Sequence, residues 1–155
     1  MNKKQLIYIG LIVIGLYAQA CSDDGNQNPG NGDNSEWLLP TNLIFDGGPG
    51  KDGIPSVDKP RYTKASEVDF LNGSDLIDVY VSDSEVVAYP HDILDWHEIV
   101  NDKIDEKAVA ISYCPLTGTG IAWNRTINGK ETTFGVSGLL YNTNLMPFDR
   151  QSNST

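Results

Sequence analysis

GIAWNRTINGKETTFGVSG, residues 120–138, is the stretch whose reading decides the fold. Ile121 and Trp123 alternate with small or polar neighbours, a period of two that lays one face of a strand on a core. Asn128-Gly129 follows, the dipeptide that best accepts the two positive φ angles of a tight hairpin turn. Thr132, Thr133, Phe134 and Val136 then resume with residues that favour extended backbone. The segment reads as one β-hairpin turning at Asn128-Gly129.

Working outward, the neighbouring segments carry the same signal. AVAISY (108–113) is a continuous apolar run of the kind buried on both faces, and HEIVND (97–102) before it reads as its partner strand across a polar connection. LIDVYV (76–81) and EVVAY (85–89) flank SDS and predict a second hairpin, while LLYNTNLMPFDR (139–150) predicts one more strand. Helical signals are few. Pro90 opens PHDILDW as a helix of one or two turns, and Ser66 reads as the N-cap of a short helix in KASEVDFL. DGGPGKDGIPSVDKP (46–60), with four glycines and three prolines, is too punctuated for helix or strand. The expected class is mainly β (β-rich α+β), built of short antiparallel strands and hairpins with a few short helices. No internal repeat, P-loop or dinucleotide fingerprint is present.

The amino terminus addresses the chain. In MNKKQLIYIGLIVIGLYAQACSDDG, Lys3 and Lys4 precede an apolar core, Leu6 to Tyr17, too short for a comfortable membrane span. Ala18 and Ala20 lead to Cys21, so the segment resembles a bacterial lipoprotein signal, in which that cysteine carries the lipid. Residues 1–20 are then a signal peptide, 21–36 a flexible acidic tether, and 37–155 the β-rich domain. The tether has no apolar residue before Trp37 and cannot bury a core of its own. This reading places the protein in the cell envelope as an outer-membrane lipoprotein, held to the membrane through lipidated Cys21. SDD after the cysteine also resembles the acidic export signal of surface-exposed lipoproteins. FDRQSNST runs out directly after a strand and reads as the end of a fragment of a longer protein.

Charge and cysteine count narrow the function. Removing residues 1–20 leaves 9 basic against 21 acidic side chains, a net charge of −12. Without a basic patch the chain is a poor partner for nucleic acid. With Cys21 consumed by lipid, Cys114 has no partner for an intrachain disulfide.

Four ordered blocks, DGGPGKDGIPSVDKP, AYPHDILDWHEIVND, ISYCPLTGTGIAWNR and FGVSGLLYNTNLMPFDR, together resemble the bacterial family known as domain of unknown function 3179, over about residues 43–150. The resemblance implies no catalytic assignment. Many members have a second cysteine where this chain has Thr117, so an obligatory Cys-x-x-Cys pair is not expected here. Members also usually continue beyond the point where this chain stops.

Candidate chemistry centres on Cys114, at the mouth of a Pro/Gly turn, with His97 and Glu98 as catalytic companions and Asp149 as a further carboxylate. His97 with Cys114 and a third ligand would suit zinc or copper. On a strand His97 and Glu98 would point to opposite faces and not share a site. Against this stands Cys114 as a small buried hydrophobe and His97 as a hydrogen-bonded structural residue. His91 is expected near the surface of its helix. Asp46, Asp52 and Asp58 offer oxygen ligands in a glycine-rich loop but lack EF-hand order, and read as turn formers. Ser137 lies in GVSG, one residue short of a nucleophile elbow, and excludes a serine hydrolase. Trp96, Trp123, Tyr113 and Tyr141 are either a sugar-stacking platform or core. Two readings remain: a non-enzymatic binding or accessory module for an envelope ligand or partner, which leads, and a metal- or thiol-dependent protein using Cys114 and His97.

Overall fold

The computed structural model describes residues 37–155. The segments read as signal peptide and tether, and the lipidation expected at Cys21, lie outside the described residues. The expected strand-rich class holds: several small sheets, mostly antiparallel, accompany one short α-helix. In chain order the elements are β1 (Ile44–Asp46), β2 (Val57–Asp58), β3 (Ile77–Val81), β4 (Val86–Pro90), α1 (His91–His97), β5 (Ile99–Ile104), β6 (Lys107–Cys114), β7 (Thr119–Asn124), β8 (Thr126–Ile127), β9 (Lys130–Glu131), β10 (Phe134–Tyr141) and β11 (Asn144–Asp149).

A four-stranded sheet, ordered β2-β5-β6-β7, forms the middle layer. Strand β6 is buried along seven of its eight residues, and the alternation of its side chains divides the core in two. Val109, Ile111 and Tyr113 pack on one face with Val87 and Tyr89 of β4 and Leu94 of α1. Ala110 and Cys114 pack on the other with Phe134 and Val136 of β10 and Leu145 of β11. The β3–β4 hairpin and α1 therefore cover one side of the middle sheet, and the three-stranded sheet β1-β10-β11 covers the other. Leu94, with no exposed surface, pins the helix, a burial that contributes roughly 1.5–3 kcal/mol.

The hairpin that turns at Asn128-Gly129 is much smaller than residues 120–138 suggest. It joins only the two-residue strands β8 and β9, while β7 pairs with β6 and β10 pairs with β1 and β11. The chain crosses from one sheet to the other at this point. Arg125, buried at the crossing, donates from Nε to Val109 O (2.8 Å) and from Nη2 to Asp102 O (2.5 Å), tying the end of β7 to β6 and β5. Strand β10 is buried over its first five residues and needs a neighbour on each edge, which a terminal hairpin would not supply.

Residues 139–150 also depart from expectation, because Leu139–Tyr141 end β10 and Asn144–Asp149 form a separate strand. Asn142 (φ 47°) and Thr143 (φ 70°) make the turn between them. KASEVDFL forms only a 3-10 turn, Ala65–Glu67, in which Ser66 lies inside the turn rather than capping it. None of its residues is buried, and so short a helix without a packed face is not stable. The glycine-rich loop contributes one two-residue strand, β2, parallel to β5.

Candidate functional site

Cys114 ends β6 with 1% of its surface exposed, among Ile99, Ala110, Phe134, Val136 and Leu145. Its thiol faces Thr143 O at 3.7 Å. His97 ends α1 with Nδ1 2.8 Å from Pro55 O. Glu98 follows at φ 55°, its amide donating to Leu94 O (2.7 Å) and closing the helix. Burial pushes its carboxyl pKa up. Among the described residues no hydrogen bond joins Cys114 to His97 or Glu98, and no group of three His, Cys, Asp or Glu side chains is placed to hold a metal ion. A sealed thiol has a simple signature. A water-soluble disulfide reagent is expected to leave Cys114 unmodified in the native chain and to label it fully in urea; rapid native labelling would contradict the burial.

The acidic loop is internally satisfied. Asp46 Oδ1 accepts from Gly48 N (2.8 Å) and closes a turn. Arg150 lies between Asp52 (2.6 Å) and Asp58 (3.3 Å), and Asp58 also accepts from Asn101 Nδ2 (2.7 Å). Ser137 is buried and donates to Met146 O (2.5 Å), leaving no free nucleophile. The four aromatic residues form no single platform. Tyr113 and Trp123 occupy opposite faces of the middle sheet, Trp123 donating to Ser112 Oγ (2.8 Å), while Trp96 stands 77% exposed.

Asp149, the carboxylate next to Arg150, is set by opposing effects. Burial pushes its pKa up, but hydrogen bonds from Ser152, Thr132 and the amides of Gln151 and Ser152 outweigh that and hold it at about 2. Its folded value thus lies below the unfolded value near 4. The stability it contributes is complete above pH about 4 and is lost as pH falls from there through about 2. Thermal melts of the Asp149→Asn variant are therefore expected to flatten relative to wild type across this window; parallel curves would show that Asp149 makes no linked contribution.

Two groups escaped the reading of the sequence. In the first, Tyr89 (2.5 Å) and half-exposed Tyr62 both donate to Asp102 Oδ2. Burial, followed by these bonds, raises both phenol pKa values, so the protons stay on tyrosine and the three residues form a clamp. Asp102 sits within WHEIVND, but nothing local marks tyrosines from two other segments as its partners. In the second, His91 stacks on Tyr113 with ring centroids 4.1 Å apart, and its Nε2 lies 3.2 Å from Asp78 Oδ1. Among the described residues the buried Asp78 Oδ2 has no hydrogen-bond partner. The carboxylate fits because residue 120 is glycine: a Cβ there would lie 2.4 Å from Oδ2.

Asp78 stands at one end of a recess beside the middle sheet. A groove of about 430 Å³ is lined by Tyr80 of β3, Val109 of β6 and Ala122 and Asn124 of β7, with Glu106 and Lys107 as its charged residues. A hollow of about 140 Å³ adjoins it, sharing Tyr80 and Ala122 and reaching Asp78 and Gly120.

The fold and these recesses define a small layered β protein with a groove at one sheet edge and a buried thiol outside it. The chain belongs to the family described as protein of unknown function (DUF3179), which residues 51–155 match. No curated protein and no solved structure matches the chain.

Proposed function

We propose that this protein is a lipid-anchored binding module of the bacterial cell envelope. One observation carries the binding role: the outer face of the β3–β4 hairpin is aliphatic. Ile77, Val79, Val81 and Val86 share that face at 43%, 50%, 69% and 67% exposure. A ribbon two strands wide gains nothing from such a strip in water, and uncovered apolar patches mark interaction sites. The signal-like segment ending at Cys21 supports the anchor. The sealed Cys114 and the engagement of His97 with Pro55 favour this reading over thiol or metal chemistry.

Two measurements on the full chain test the anchor and the competing metal-dependent reading. Growth with a clickable fatty acid is expected to label the wild type and not Cys21→Ala; an unlabelled wild type would remove the anchor. Elemental analysis of protein purified without chelator is expected to find no stoichiometric zinc or copper. Metal that disappears in both His97→Ala and Cys114→Ala would replace the binding module with the metal-dependent reading.

A further inference from the structure

We infer that the groove beside β7 receives an extended segment of another protein, added as a strand to the edge of β7, with a lysine or arginine of that segment directed at Asp78. This goes beyond the binding-module reading, whose aliphatic face is on the other side of the β3–β4 hairpin, and assigns a second surface with its partner class.

The backbone supplies the first argument. Arg125 N donates to Ala108 O (2.9 Å), placing these residues opposite each other in the β6–β7 register. Hydrogen bonding alternates along an antiparallel pair. Trp123, Ile121 and Thr119 therefore turn their amides and carbonyls to β6, and Gly120, Ala122 and Asn124 turn theirs outward. β7 is the last strand of its sheet, and no other described strand pairs with it.

Side chains supply the second argument. Sheet edges are ordinarily protected by charge, proline or a bulge. Thr119–Asn124 reads TGIAWN, without a charged residue or a proline, and its register with β6 is unbroken. Gly120, Ala122 and Asn124 lie opposite Tyr113, Ile111 and Val109, on the face where the groove opens. An added strand would place alternate side chains into that groove under Tyr80. Main-chain bonds then give affinity and the alternating pockets give selectivity.

Charge selects the occupant. Asp78 lines the hollow with a side chain about a quarter exposed, and among the described residues its only polar side-chain partner is His91, at Oδ1. The chain around it carries a large excess of acidic residues. A second copy would bring a further uncharged edge and more negative charge, with no cation from its β7 to meet Asp78. A basic, extended segment satisfies both the edge and the carboxylate.

The test pans a phage-displayed library of random linear heptapeptides against the full chain, immobilised in mild detergent. Enriched peptides are expected to alternate apolar residues, to carry Lys or Arg, and to bind Asp78→Asn at least threefold more weakly. Binding should fall at least tenfold with Ala122→Pro, whose lost amide points away from β6, and with Ala122→Arg, which fills the groove without touching the backbone. Thermal melts of both variants confirm that they fold. No enrichment over a blank surface, or peptides that bind both Ala122 variants normally, would overturn the proposal. So would a concentration-dependent dimer in sedimentation that Ala122→Pro abolishes, which assigns the edge to a second copy. An Ala122 amide already protected from hydrogen exchange in the unliganded chain would likewise overturn it, since the chain would then cover its own edge. None of these outcomes touches acyl labelling or metal content, so the two proposals fail separately.

Discussion

Replacing Arg125 with methionine is expected to destabilise the protein by about 3–5 kcal/mol, the largest effect of any single polar substitution. The guanidinium is 7% exposed and donates to carbonyls of three segments: Val109 on β6, Asp102 on β5 and Thr132 beyond β9. Among the described residues no carboxylate forms an ion pair with it, so its desolvation is offset by these charge-assisted bonds alone. Methionine fills much of the volume but removes three charge-assisted bonds to these carbonyls, each worth roughly 1.5–3 kcal/mol, less what relaxation recovers. Lysine keeps the charge and loses the planar fork, so Arg125→Lys should recover only part of the loss. Urea unfolding followed by tryptophan fluorescence measures this directly. A midpoint within error of wild type for Arg125→Met would show that the crossing between sheets is held by something else.

Gly138→Ala is expected to cost about 2–4 kcal/mol, because it adds a steric clash to an unfavourable backbone angle. Gly138 sits in β10 at φ 81°, within the stretch between Val136 and Leu140 where the β10–β11 register shifts. A Cβ there would stand 2.7 Å from the backbone of Gly50. That contact is how the glycine-rich loop docks: Gly47 N donates to Gly138 O (2.7 Å) and Asp52 N to Val136 O (2.8 Å). Gly48→Ala is the matched control. Gly48 also has a positive φ, 100°, but nothing lies within 4 Å of its added carbon. It therefore isolates the backbone component, about 1–2 kcal/mol. Equal melting shifts for the two variants would refute the docking contact.

Most of the strands were legible because alternation is a local property. LIDVYV and EVVAY form the hairpin their pattern announces, and the run AVAISY is buried on both faces as its composition requires. The turn at Asn142-Thr143 was not legible. Threonine is a poor residue for a positive φ, and tertiary contacts hold it there: the pairing of β10 with β11 on either side and the hydrogen bond from Asn142 N to Leu43 O (3.2 Å). The Asn128-Gly129 signal was genuine but misled about scale, since a turn signal says nothing about how far the strands beyond it remain partners.

The candidate site was the least legible part. Its floor and walls come from β3, β6 and β7, and the features that distinguish it are an unused carboxylate oxygen, a missing Cβ at Gly120 and an unpaired strand edge. None of these has a local signature. His91, expected near the surface of its helix, is instead part-buried against Tyr113 and Asp78.

By itself, then, the sequence determined the β-rich class, the order of most of its strands, the family and the excess of acidic charge, all of which follow from local pattern and composition. The tertiary structure alone decided which strands share a sheet and which side chains meet. Tyr113 and Cys114 show the reason. They are adjacent in the chain, but a strand sends successive side chains to opposite faces. Tyr113 thereby reaches His91 beside the groove, while Cys114 is sealed in the apolar layer behind it.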